Sequence, residues 1–132
     1  MTRYSLLALA FGFTGCVVDS HHPHQEDYSP STLIVDWTVD GSTDPAECRQ
    51  GATPTIDITI ETRSGAFVDE VMADCEAFET SIDLDPGTYQ ASALLLDDSG
   101  RDATTTVGID PFTLLEADQL DVSVDFPADS FL

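Results

Sequence analysis

Three cysteines, three histidines and 25 carboxylates set against four basic side chains are what this 132-residue sequence offers for chemistry. The histidines stand together as His21, His22 and His24. Neutral imidazole is a good ligand for Zn²⁺ or Cu²⁺, so the tract could scavenge such ions. No scaffold is foreseen to fix the rings, and a polar stretch of this kind reads first as solvated chain. Two acidic groups could offer oxygen ligands to Ca²⁺: Asp97, Asp98, Ser99 and Asp102, and separately Asp40 with Asp44. Neither follows the spaced D-x-D-x-D-G pattern of a calcium loop, so solvated acidic turns are expected at both. Divalent-cation binding, of Ca²⁺ or Zn²⁺, is therefore the second reading of the chain and not the first.

Enzymatic chemistry finds little here. Between residues 32 and 127 there is no His and no Lys, so a serine nucleophile would lack a base. The sequence holds no G-x-S-x-G, P-loop or H-E-x-x-H motif. Neighbouring carboxylates, which could serve a glycosidase, arise by chance in so acidic a chain. A hydrolase comes last among the readings. No catalytic, metal or cofactor-binding residues are assigned, and no enzyme is expected.

The elements that would position these groups are strands. Leu33, Val35, Trp37 and Val39 alternate with polar or outward positions, and Ile56, Ile58 and Ile60 alternate with Asp57, Thr59 and Glu61. Period-two patterning of this kind marks half-buried strands. Between them lies a predicted loop with Gly41, Pro45 and Gly51 that carries Cys48. Ser64-Gly65 signals a hairpin, with a return strand over residues 66–75 and a further strand over 78–84. Asp85-Pro86-Gly87-Thr88 suits a type II turn with φ > 0 at Gly87. It leads into a strand showing Tyr89, Ala91, Ala93 and Leu95 on one side. A turn over residues 98–101, a short strand over 104–110 ended by Pro111, and a last strand with Leu120, Val122, Val124 and Phe126 follow. About seven short strands with turns between them and no clear amphipathic helix predict an all-β fold, a single antiparallel β-sandwich. Trp37 is expected in its core. Asp36, Asp57, Glu61, Asp121 and Asp125 are expected to make an acidic, hydrated sheet face, which could bind a basic partner where the strands are neighbours.

The chain opens differently. Arg3, then an apolar run from residue 5 to Phe13, then Thr14-Gly15-Cys16, has the layout of a secretory signal, with a core too short to span a bilayer. Ending on Gly-Cys, it resembles the lipobox of bacterial lipoproteins. The resemblance implies cleavage before Cys16 and acylation of that cysteine, and Val17 after it resembles the outer-membrane class. One acyl chain binds only reversibly, and stable anchoring takes at least two. With Cys16 given to lipid, Cys48 and Cys75 remain as an even pair in an oxidising compartment, and a disulfide is expected between them.

A second resemblance lies further on. Leu84-Asp85-Pro86-Gly87-Thr88-Tyr89, followed by a strand and Asp98-Ser99-Gly100, is similar to a segment of carboxypeptidase-regulatory-like and transthyretin-like sandwich modules. Those modules are mostly spacers, stalks or binding accessories, so an Ig-like or transthyretin-like topology and a non-catalytic role are implied. The expected organisation is a signal peptide over residues 1–15, an acylated Cys16 with a His/Pro/Ser tether to residue 31, an acidic β-sandwich over 32–127 and a loose tail over 128–132. The tether would reach about 20 Å as a flexible coil. A formal net charge of −21 repels nucleic acid and anionic headgroups, so nucleic acid is excluded as a partner. Expected contacts are the outer membrane of the cell envelope, through the lipid, and a basic protein or envelope component. Dense carboxylates also suit a saline habitat, where salt screens their repulsion.

Overall fold

The computed structural model describes residues 29–132. They form β1 (Ser31–Val39), a short helix α1 (Pro45–Gln50), β2 (Thr55–Thr62), β3 (Phe67–Asp74), β4 (Glu79–Leu84), β5 (Gly87–Leu96), β6 (Val107–Leu114) and β7 (Gln119–Phe126). Two sheets, ordered β4-β1-β7 and β3-β2-β5-β6, pack face to face as a β-sandwich. The seven strands and the all-β class agree with the sequence reading.

Alternation decides which side chains fill the gap between the sheets. Leu33, Val35, Trp37 and Val39 on β1, and Ile56, Ile58 and Ile60 on β2, are each at most 1% exposed. Tyr89, Ala91, Ala93 and Leu95 on β5 and Val124 and Phe126 on β7 meet them there. Each large apolar side chain so placed contributes about 1.5–3 kcal/mol. Trp37 is a core residue, and its indole N–H donates to the Cys75 carbonyl at 2.8 Å, so its polar atom is satisfied.

Several expectations are corrected. The sandwich is not antiparallel throughout: β1 and β7 pair in parallel, from Thr32 opposite Gln119 to Val39 opposite Phe126. Side-chain alternation fixes which face is buried but carries no strand direction. The segment read as a loop around Cys48 contains α1, capped by Asp44, whose carboxylate accepts the Ala46 N–H at 3.0 Å, with Pro45 opening the first turn. Six residues are too few to show a helical period.

Gly87 does not take a positive φ, so the type II turn is absent. Gly87 instead starts β5 opposite Leu114, and the corner is closed by the Tyr89 hydroxyl, which donates to the Asp85 carbonyl at 2.5 Å. Pro111 does not end its strand. It lies inside β6, at the sheet edge, where Asp110 and Pro111 together oppose Gln90 as a bulge. An edge strand tolerates the missing N–H there. The last residues are docked and not loose. Thr105 N–H donates to Ser130 at 2.7 Å, Leu132 N–H donates to Ala103 at 3.0 Å, and Phe131 packs against the core.

Candidate functional site

Cys48, in α1, and Cys75, just after β3, are joined by a disulfide with their Cα atoms 6.0 Å apart. The bridge ties the β1–β2 connection to the β3–β4 connection, and both cysteines are buried. The Thr53 hydroxyl packs beside it, donating to the Cys48 carbonyl at 3.3 Å. Cys16, His21, His22 and His24 lie outside the described residues.

Buried hydroxyls in the sandwich are all occupied by structure. Ser31 donates to the Leu115 carbonyl, Ser130 donates to the Pro127 carbonyl at 2.6 Å, and Thr104 accepts the Leu95 N–H at 3.0 Å. With Thr53 they account for the buried polar side chains, and each serves a turn or a strand end.

The two acidic loops are likewise built around backbone. Asp97 accepts the Ser99 N–H at 2.9 Å, the Ser99 hydroxyl at 2.6 Å and the Arg101 N–H at 3.0 Å. The Ser99 hydroxyl first, then the Arg101 and Ser99 amides, hold its carboxyl below the usual range. Asp44 is spent on the α1 cap, and Asp40 sits at φ 50 in the turn after β1. Among the described residues no three His, Cys, Asp or Glu side chains gather as a metal site.

The outward carboxylates fall on two faces where one was expected. On the β4-β1-β7 sheet, Asp36 stands opposite Glu79 and Ser123, Ile34 opposite Asp121, Thr38 opposite Asp125 and Thr32 opposite Asp83. This outer face therefore carries Asp36, Glu79, Asp83, Asp121 and Asp125 and no basic side chain. Directly opposed like charges, as at Asp36 and Glu79, cost stability. Asp125 is fixed by the Thr38 hydroxyl at 2.6 Å and the Gly41 N–H at 2.9 Å. At this end of the face an open groove of about 380 Å³ is lined by Asp36, Thr38, Phe78, Val124 and Asp125. An apolar wall beneath carboxylates suits a side chain with an aliphatic stem and a cationic head. The strand alternation had pointed to Asp36, Asp121 and Asp125; Glu79 and Asp83 were legible only once β4 was known to flank β1.

Asp57 and Glu61 stand on the other outer face, beside Glu70 of β3. Asp57 is half-buried, and its Oδ1 is shut off from solvent with no hydrogen-bond donor. Burial first, then the charge of Glu70, then that of Asp102, push its carboxyl up to about 6.

Among the described residues no helix is long and apolar enough to cross a membrane. No family model and no curated protein matches the sequence. Among solved structures, the fold is similar to part of the Bacillus anthracis TIE protein, with 18% identity and a TM-score of 0.49 over 74% of this chain and 17% of that one. It is also similar to part of a leucine-rich repeat protein from Bacteroides thetaiotaomicron, with 12% identity and a TM-score of 0.47 over 76% of this chain and 12% of that one. This chain thus spans less than a fifth of the length of either protein.

Proposed function

We propose that the chain is an exported bacterial lipoprotein, held at the outer membrane by acyl chains on Cys16. It presents an acidic, non-catalytic β-sandwich as an interaction module. Two things support this reading. The run over residues 5–16 has the layout of a lipoprotein signal. The observation that carries the binding role is the β4-β1-β7 face, which opposes Asp36 to Glu79 without a cation to offset the cost. A basic protein or envelope component supplies the missing charge, with steering over a surface of net charge −21. We read the sandwich as transthyretin-like on the strength of the segment over residues 84–89, whose Tyr89 hydroxyl closes the corner back to Asp85.

Cell fractionation of a Cys16→Ser form tests the anchor. The unaltered chain is expected in the membrane fraction and the variant outside it, or retained as uncut precursor, since no sulfur is left to acylate. A variant that matures and stays with membranes like the original would overturn the reading.

A further inference from the structure

The four-stranded sheet ends on β3, and this edge differs from the opposite one. β6 is broken by the Asp110–Pro111 bulge and lies against β7. β3 is eight residues long, contains no Pro and no Lys, and leaves Phe67 66% and Met72 59% exposed. A long edge with exposed apolar side chains is a template for a further strand unless something blocks it.

The ladder shows where its free groups point. Cys75 N–H donates to the Pro54 carbonyl, so in antiparallel alternation Ala73 and Val71 also bond to β2, while Glu70 and Met72 face away. The Glu70 amide agrees: its acceptor is the neighbouring Asp69 carboxylate, at 2.8 Å. A bulge at Val68 ends the regular stretch on one side. The side chains of Glu70 and Met72 lie on the outer face beside Asp57.

We propose that the β3 edge accepts an extended basic segment of a partner protein as an added strand. The segment's backbone bonds to Glu70 and Met72, and its Lys or Arg side chains lie against Glu70 and Asp74 on the outer face. This rests on reading the sandwich as an interaction module and names the partner's chemistry. Charge selects the occupant. A second copy would bring another −21 and its own Glu70 and Asp74 to the edge, and an anionic bilayer is repelled in the same way. The same carboxylates that keep copies apart attract a cationic strand, which also relieves the repulsion between Glu70 and Asp57. Main-chain bonds supply affinity and the alternate side chains supply specificity.

The probe is a short capped peptide alternating Lys and Val, titrated into the isotope-labelled full chain. Saturable binding is expected, with the largest amide shifts and slowed hydrogen exchange at Glu70 and Met72. Affinity should fall at least about tenfold in a Glu70→Lys, Asp74→Lys double variant, where attraction becomes repulsion. The matching Glu–Val peptide should not bind. Met72→Pro removes an outward N–H without touching the β2–β3 ladder, and should lose the binding that Met72→Leu keeps. Absence of saturable binding, shifts centred on the β4-β1-β7 face, or dimerisation of the chain through β3 would each overturn the proposal. None of these bears on the lipid at Cys16, and an unmodified Cys16 with peptide binding intact would sink the anchor alone.

Discussion

Reduction of the Cys48–Cys75 bridge is expected to lower the melting temperature by about 15–25 °C. The bond joins residues 27 apart, and in the chain-entropy account such a closure stabilises the fold by about 3–4 kcal/mol. For a domain of this size, each kcal/mol moves the midpoint by roughly 4–8 °C. The loss is not confined to the unfolded chain. Cys75 presents its carbonyl to the Trp37 indole at the centre of the sandwich, and Cys48 holds α1 where Gly51 meets the Phe131 ring. Releasing the bridge therefore loosens the helix, the docked C-terminal residues and the Trp37 contact together. Thermal melts with and without reductant measure this, and a Cys48→Ala, Cys75→Ala double variant should match the reduced protein. A shift of less than about 5 °C would contradict the account, since it would place the bridge outside the fold's cooperative unit. The Arg49–Glu76 ion pair beside it, at 2.9 Å but largely exposed, cannot compensate.

Asp57→Asn is expected to stabilise the protein at neutral pH. Its carboxyl titrates at about 6 in the folded chain against 3.8 for the free side chain, so the folded state holds this proton more tightly than the unfolded one. That contribution is fully present below pH 3.8 and is lost as pH rises through about 6. Above that, the half-buried carboxylate faces Glu70 and Asp102 with no donor for Oδ1. Asparagine keeps the shape and removes the charge. A gain of about 1–2 kcal/mol near pH 7.5 follows, after allowance for solvent screening. Near pH 4 the gain should vanish. Glu70→Gln should move the same way by a smaller amount, because Glu70 is the largest charged contributor while burial remains. Urea titrations over this pH range measure the difference. A gain independent of pH would show that Asp57 carries no proton linkage.

The sandwich was legible because its strands alternate so cleanly. Ile56, Ile58 and Ile60 against Asp57, Thr59 and Glu61 leave one orientation for β2, and Leu33 to Val39 leave one for β1. What alternation cannot encode is which strands become neighbours, and the candidate site depended on that. Asp36 and Asp57 look alike in sequence yet stand on opposite faces of the molecule, because β1 joins β4 and β7 while β2 joins β3 and β5. The parallel β1–β7 pair leaves no local signal in the alternation of either strand. Local residue preferences also yield where tertiary contacts take over. Gly87 suits a turn by itself, but the Tyr89 hydroxyl and the pairing with Leu114 draw it into β5. Pro111 suits a strand end, yet an exposed edge with a bulge lets the strand run through it. Phe131 suits a frayed terminus until the cleft beside Gly51 receives its ring.

Mass spectrometry of the chain isolated from the membrane fraction tests the anchoring claim most directly. The account predicts a new N-terminus at Cys16 whose mass exceeds the unmodified peptide by that of its acyl chains, with Cys48 and Cys75 linked to each other. An N-terminus elsewhere, or Cys16 present as an unmodified thiol, would contradict it.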